Sequence, residues 1–159
     1  MNKRAIIKKI TARLADEIGL YFRAAEFARA EATHEQNKAE NKYDTRGLEA
    51  SYLARGQSRQ AAALEAAIAE FEKLDGRPFA EGQPIGLGAL VQVDHGGEKS
   101  FYLIGPRAGG TEVIHDKKEI LVITPQSPLG EQLMGKRAGD RPQLTLGGAR
   151  QAASIVSVE

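Results

Sequence analysis

Apolar side chains in the first half of the chain recur every three or four positions. Ile7, Ile10, Leu14, Ile18, Tyr21, Ala25 and Ala28 fall on one stripe of a helix. Residues 3–34 contain no proline and a single glycine. A second stripe, Leu53, Ala61, Leu64, Ile68 and Phe71, runs through a segment rich in Ala, Glu, Gln and Arg, which are strong helix formers. Each stripe alone is too narrow for a core. Zipped antiparallel, the two helices would bury both stripes, and alanines along the seam would let the backbones approach closely. A helix of about 30 residues is roughly 45 Å long, so the pattern predicts a rod-like antiparallel hairpin. The reversal is expected near residues 33–41. There Asn37 suits the N-cap of the second helix and Glu40 follows three residues later, a variant of the capping box. Gly47 and Gly56 fall inside the second helix at about 1 kcal/mol each relative to alanine.

The period changes after residues 75–78. Gly76 can adopt the left-handed helix C-cap and Pro78 prevents continuation. The expected division is a coiled-coil hairpin over 1–77 and a second domain over 78–159. Beyond the boundary, apolar and polar positions alternate. Residues 87–94 and 99–104 read as strands around a His95-Gly96-Gly97 hairpin turn. A turn at 106–110 precedes further strands at 112–115 and 119–123. Ser127 as N-cap and Pro128 as first residue open a short helix that runs to Met134 and stops at Gly135. A turn at Gly139-Asp140 leads to strands at 143–146 and 151–158, separated by Gly147-Gly148. The fold class is therefore α+β: a helical hairpin, then a small antiparallel sheet with one short helix.

Charge narrows the function. Lys and Arg total 22 against 21 Asp and Glu, for a net charge of +1. Neither half carries a basic excess able to hold nucleic acid through its phosphates. Cysteine and tryptophan are absent, which removes disulfides, thiolate nucleophiles and cysteine–zinc sites. Charges interrupt every apolar run after the basic start, so neither a signal-peptide core nor a membrane span can be drawn. The expected location is the cytoplasm.

The most specific stretch is 127–140: Ser127-Pro128, the apolar turn containing Leu129 and Leu133, then Gly135-Lys136, a two-residue spacer and Gly139-Asp140. Read plainly, it is a capped helix followed by a strand-entry turn. It also resembles the C-terminal signature of the Gre transcript-elongation factors, and Glu40-Asn41 resembles the Glu-Asn of the Gre hairpin tip. Order, domain sizes and length agree over nearly the whole chain. The resemblance implies an FKBP-like β domain that docks on bacterial RNA polymerase, through Ser127, Pro128, Leu129, Gly135, Lys136, Gly139 and Asp140. It also implies a coiled coil entering the secondary channel, where acidic tip residues help hold a Mg²⁺ shared with the polymerase active site. The protein would have no cofactor of its own. It would be a monomer, not an enzyme itself, and would meet nucleic acid only through the transcription complex.

The tip departs from the Gre pattern. Asn37 stands where the first acid is expected, and Asn caps a helix as well as Asp does but brings no charge. Glu40 and Asp44, four apart and on one helix face, are the substitute pair for Mg²⁺; otherwise they are solvated charges beside Lys38 and Lys42. His34 and Tyr43 flank the tip. Tyr43 and Arg46 are candidate partner contacts, Tyr52 a candidate for the seam, and Lys3, Arg4, Lys8 and Lys9 either a solvated helix face or a contact for nucleic acid or an acidic protein surface. Two regulators are consistent with this tip: one that stimulates cleavage of backtracked RNA, and one that acts by occupying the channel. A peptidyl-prolyl isomerase is the competing enzyme class, and Phe79, Phe101 and Tyr102 are the aromatic side chains available to it in the second half.

Overall fold

A computed structural model describes residues 1–33 and 45–159 of the chain. They fall into two compact units, one of Met1–Thr11 with Ala69–Glu159 and one of Ala12–Ile68. The roots of both helices belong with the strands, because Ile6, Ile10 and Phe71 are fully buried there.

Helix α1 spans Lys3–Thr33 and helix α2 spans Arg46–Glu72. Within Ala12–Ile68 the two pack through small side chains, with Ala25, Ala28, Ala54, Ala61 and Ala67 all buried beside Leu14. Arg29 of α1 donates to the Ser58 hydroxyl of α2 across the seam. Leu53 is not part of this seam. It is 54% exposed, and its neighbour Ala54 takes the buried position. Tyr52, another seam candidate, is also exposed. A side chain at Gly56 would meet nothing within 4 Å, so close packing does not account for that glycine.

The other unit is built on a five-stranded sheet. Its strands are β1 (Leu90–His95), β2 (Glu98–Ile104), β3 (Glu112–His115), β4 (Lys118–Ile123) and β7 (Ser154–Val158), in the order β3-β4-β2-β1-β7. Helix α3 (Pro128–Leu133) and a two-stranded ribbon of β5 (Gln143–Leu146) and β6 (Ala149–Ala152) complete it. The sheet is mixed. β1–β2, β1–β7 and β3–β4 are antiparallel, but β2 and β4 run parallel, with Phe101 opposite Ile120 and Ile104 opposite Ile123. The reason lies in the crossing after β2. Gly105 donates to the Ile123 carbonyl and Gly110 to that of Val122, so the chain swings past the sheet end and lays β3 at the edge with β4 inside it. The second departure is at the C-terminal side. The stretch expected as one strand over 151–158 is two, because buried Ala153 donates to the Pro142 carbonyl and turns the chain from ribbon to sheet.

Three hairpins close with two residues at positive φ: Gly96-Gly97, Asp116-Lys117 and Gly147-Gly148. That backbone matches the natural strand twist. Asp116 and Lys117 adopt it without glycine, a conformation Asp tolerates better than most residues.

Alternation divides the sheet into two buried faces. Val91, Val93, Tyr102, Ile104, Ile123 and Ile155 pack with Leu133 of α3 and with Leu144 and Leu146 of the ribbon. The other face carries Leu103 and Val122, and Phe71 lies against Val122 and Gly105. Two lysines at the root of α1 fasten onto this unit. Lys9 donates to the Ile114 carbonyl at 2.7 Å. Lys3 is buried, donates to the Gly88 carbonyl at 3.1 Å and lies 4.6 Å from the Phe79 ring centroid. Burial pushes its ammonium below the ordinary lysine range, against the raising pull of Glu159 and Asp75. The expected solvated basic face therefore loses Lys3 to the interior. No helix among the described residues is long and apolar enough to cross a membrane.

Candidate functional site

The segment 124–140 folds through a series of local constraints. Ser127 sits in extended backbone and its Oγ accepts from the Gly130 N–H at 3.1 Å while donating to the Thr124 carbonyl at 2.8 Å. Pro128 follows at the first helical position, where a missing N–H costs nothing. Gly130 is required by space. A Cβ there would lie 1.9 Å from the Thr124 carbonyl oxygen. Leu133 is fully buried. Gln132 then ties α3 to the ribbon, its Oε1 accepting from the Thr145 N–H at 2.8 Å. Replacing Ser127 by alanine should cost about 1 kcal/mol, the usual worth of an N-cap. Thr should retain most of it. The check is the thermal unfolding midpoint of the two variants; equal midpoints for Ala and wild type would refute the cap's contribution.

The glycines and the aspartate that follow are also structural. Gly135, at φ 78, donates to the Ile85 carbonyl at 2.9 Å, and the Lys136 carbonyl accepts from Ile85 at 2.7 Å. Gly139, at φ 92, donates to the Ile155 carbonyl, and the Asp140 carbonyl accepts from the Ile155 N–H. The Asp140 carboxylate accepts from the Arg137 N–H at 2.8 Å and closes the turn. The chain is thereby latched twice, to Ile85 and to β7.

These residues separate into two groups. Ser127, Pro128 and Leu129 line an open groove of about 520 Å³ together with Tyr102, Leu121, Ile123 and Leu146. Gly135, Lys136, Gly139 and Asp140 do not line it; they form the latch behind the helix. Leu121 and Leu146 were not singled out by sequence, and Tyr102 only as an aromatic residue open to an isomerase. Their alternation marks them as strand residues, but nothing local shows that β2, β4 and β5 converge beside α3. His95 stands at the groove margin, 3.3 Å from the Ser100 hydroxyl. The groove holds one of the three aromatic residues available to an isomerase, Tyr102. Phe79 instead faces the Lys3 ammonium, and Phe101 lies under Lys118, 4.9 Å from its ammonium. That is not an aromatic-lined proline pocket.

The tip candidates Asn37, Glu40, Asn41 and Asp44, with His34 and Tyr43, lie outside the described residues. Arg46 opens α2 on an exposed face beside Glu49, Ala50 and Leu53.

A helical hairpin followed by a mixed sheet with a short helix is the fold of this chain. It is similar to Gfh1, the GreA factor homologue 1 of Thermus thermophilus, at 22% identity over 94% of both chains with a TM-score of 0.39. It is similar to Gfh1 of Thermus aquaticus at 23% identity, covering 96% of this chain and 95% of that one, with a TM-score of 0.41. A further structure of the transcription factor Gfh1 shows 24% identity, covering 96% and 94%, with a TM-score of 0.41. No family model and no curated protein matches the sequence.

Proposed function

We propose that the protein is a regulator of transcription elongation that binds bacterial RNA polymerase at its secondary channel. The β unit would be its docking platform and the helical hairpin the part that enters. The observation that carries this reading is the 127–140 segment. It has the residue order that resembles the Gre signature, and its first three residues, Ser127, Pro128 and Leu129, border an open apolar groove while the remainder holds them in place. A structural turn alone would need only the latch. An exposed proline beside a half-buried leucine is surplus to folding and suits a protein partner.

The tip sets the mode of action. With Asn37 in place of the first acid, one charge is missing from the set that would share a Mg²⁺ with the polymerase. Glu40 and Asp44 are the acids left to supply it. The proposed action is occupation of the channel rather than strong stimulation of RNA cleavage. Two measurements test the proposal. Core polymerase on a resin should retain the full chain at micromolar concentration, and Leu129→Asp should weaken retention about tenfold or more, the scale of a buried interface anchor. No retention of the unmodified chain would end this reading. On stalled complexes, transcript cleavage should stay near the polymerase's own rate; a large stimulation abolished by Glu40→Ala would instead make the tip a Mg²⁺ ligand.

A further inference from the structure

Antiparallel pairing leaves alternate residues of a ribbon with their N–H and C=O pointing away from the partner strand. In the β5–β6 ribbon this phase is fixed at two places. The Thr145 N–H is taken by the Gln132 side chain of α3, so Thr145 and the residue opposite it, Arg150, exchange no backbone bonds. Ala153, just past β6, donates to the Pro142 carbonyl, which puts Gln143 and Ala152 in the same class. The backbone groups of Arg150 and Ala152 therefore point out of the ribbon, and they bond to nothing among the described residues. Each of the other edge strands carries a plug. Lys9 takes the Ile114 carbonyl of β3, Gln132 takes Thr145 of β5, and on β7 the Ile155 N–H and C=O are taken by Asp140 and Gly139. Open edges recruit further strands, which is why proteins cover or blunt them. Strand β6 has no plug, no bulge and no proline, and all four of its residues are exposed.

The chemistry of this edge selects its occupant. Outward N–H and C=O groups on every second residue are satisfied by an extended backbone and not by a helix or a flat surface. The two sides of the ribbon then set the side chains. Gln151 lies opposite buried Leu144, so it shares a side with Leu144 and Leu146. Gln151 and Leu146 both line the groove beside α3. A residue added opposite Gln151 would therefore point its side chain toward that groove, where Tyr102, Leu121 and Leu129 suit an apolar group. On the other side stand Gln143, Thr145, Arg150 and Ala152, and Arg150 is the one charge that either strand carries. A segment that alternates acidic with apolar side chains complements both sides at once.

We infer that β6 is a strand-addition site, on which an extended segment of the protein partner pairs as a third strand of the ribbon. The segment is acidic beside Arg150 and apolar at the position that faces the groove. The inference rests on the reading of that groove as the docking surface and specifies how the partner is held there.

Retention of the full chain on core polymerase, read together with amide hydrogen exchange, tests it. Arg150→Pro deletes an outward N–H without touching a β5–β6 bond, and edge strands tolerate proline. The variant should keep its circular dichroism spectrum and unfolding midpoint and lose retention at least tenfold. Arg150→Glu should weaken retention several-fold, and Arg150→Lys should keep most of it. In the unmodified chain, the Arg150 and Ala152 amides should exchange at least tenfold more slowly once polymerase is added. A folded Arg150→Pro variant retained like the wild type overturns the inference. If that variant does not fold, the exchange decides, and unchanged rates at Arg150 and Ala152 overturn it. With Leu129→Asp still weakening retention, either result leaves the groove as the docking surface and removes only the added strand. No retention of the unmodified chain ends both readings. Slowing of the same two amides as the chain alone is concentrated would assign the edge to a second copy and overturn the inference.

Discussion

Gly130→Ala should lower the stability of the β unit by about 3 kcal/mol or more, at the upper end of what overpacking costs. The added methyl would sit 1.9 Å from the Thr124 carbonyl oxygen and 2.9 Å from the Ser127 Oγ. Neither neighbour is free to move. The Thr124 carbonyl accepts from both the Ser127 N–H and the Ser127 hydroxyl, and Ser127 caps α3 through the Gly130 N–H. Relief therefore requires α3 to lift away from the sheet, withdrawing Leu133 from the core. The matched control is Gly135→Ala. Gly135 has φ 78 but open space around its Cβ position, so that variant should lose only about 1 kcal/mol, from backbone strain. Urea unfolding midpoints of the two variants distinguish clash from strain. Equal losses, or a smaller loss for Gly130→Ala, would contradict the geometry. Because Pro128 and Leu129 are carried on the same turn, retention on polymerase should fall with Gly130→Ala even where enough protein remains folded.

Phe71→Ala should cost about 3–5 kcal/mol, as expected for an aromatic side chain removed from a filled core. Phe71 is fully buried at the end of α2 and its ring lies against Gly105 and Val122. The fit is reciprocal. A Cβ on Gly105 would approach the Phe71 Cζ and the Val122 Cγ1 to 2.7 Å each. Gly105→Ala alone should therefore destabilise, and Phe71→Leu, which shortens the side chain, should cost less in the Gly105→Ala background than in the wild type. A double-mutant cycle on unfolding free energies reads this coupling. Strict additivity of the two changes would show that the ring and the glycine do not share a contact.

Much of the fold was legible from local rules. Strand β3 matches its expected bounds, and the N-cap at Ser127 was readable because its chemistry lies within four residues. The misses have long-range or subtle causes. The parallel pairing of β2 with β4 is set by the crossing at Gly105–Gly110, where hydrogen bonds reach Val122 and Ile123. The corner at Ala153 looks like unbroken strand because alternation continues through it. Leu53 outranks Ala54 on any hydropathy reading, yet the alanine takes the buried position and the leucine stays exposed. Lys3 reads as a surface charge until the Gly88 carbonyl and the Phe79 ring appear beside it. The groove was half legible: Ser127, Pro128 and Leu129 stand out by motif, whereas Tyr102, Leu121 and Leu146 join them only through tertiary packing.

The alanine seam has a consequence in time. Each buried alanine withdraws far less apolar surface from water than the Leu, Ile and Phe residues of the sheet unit, so each layer of Ala12–Ile68 contributes less free energy. Backbone amides in the middle of α1 should therefore open to solvent by local fluctuations, while those of the buried parts of β1 and β2 should wait for the whole unit to unfold. One continuous helix should thus exchange its amides on two clocks, slow over residues 3–11, where it belongs to the sheet unit, and fast beyond Ala12, a difference that native-state hydrogen exchange reads directly.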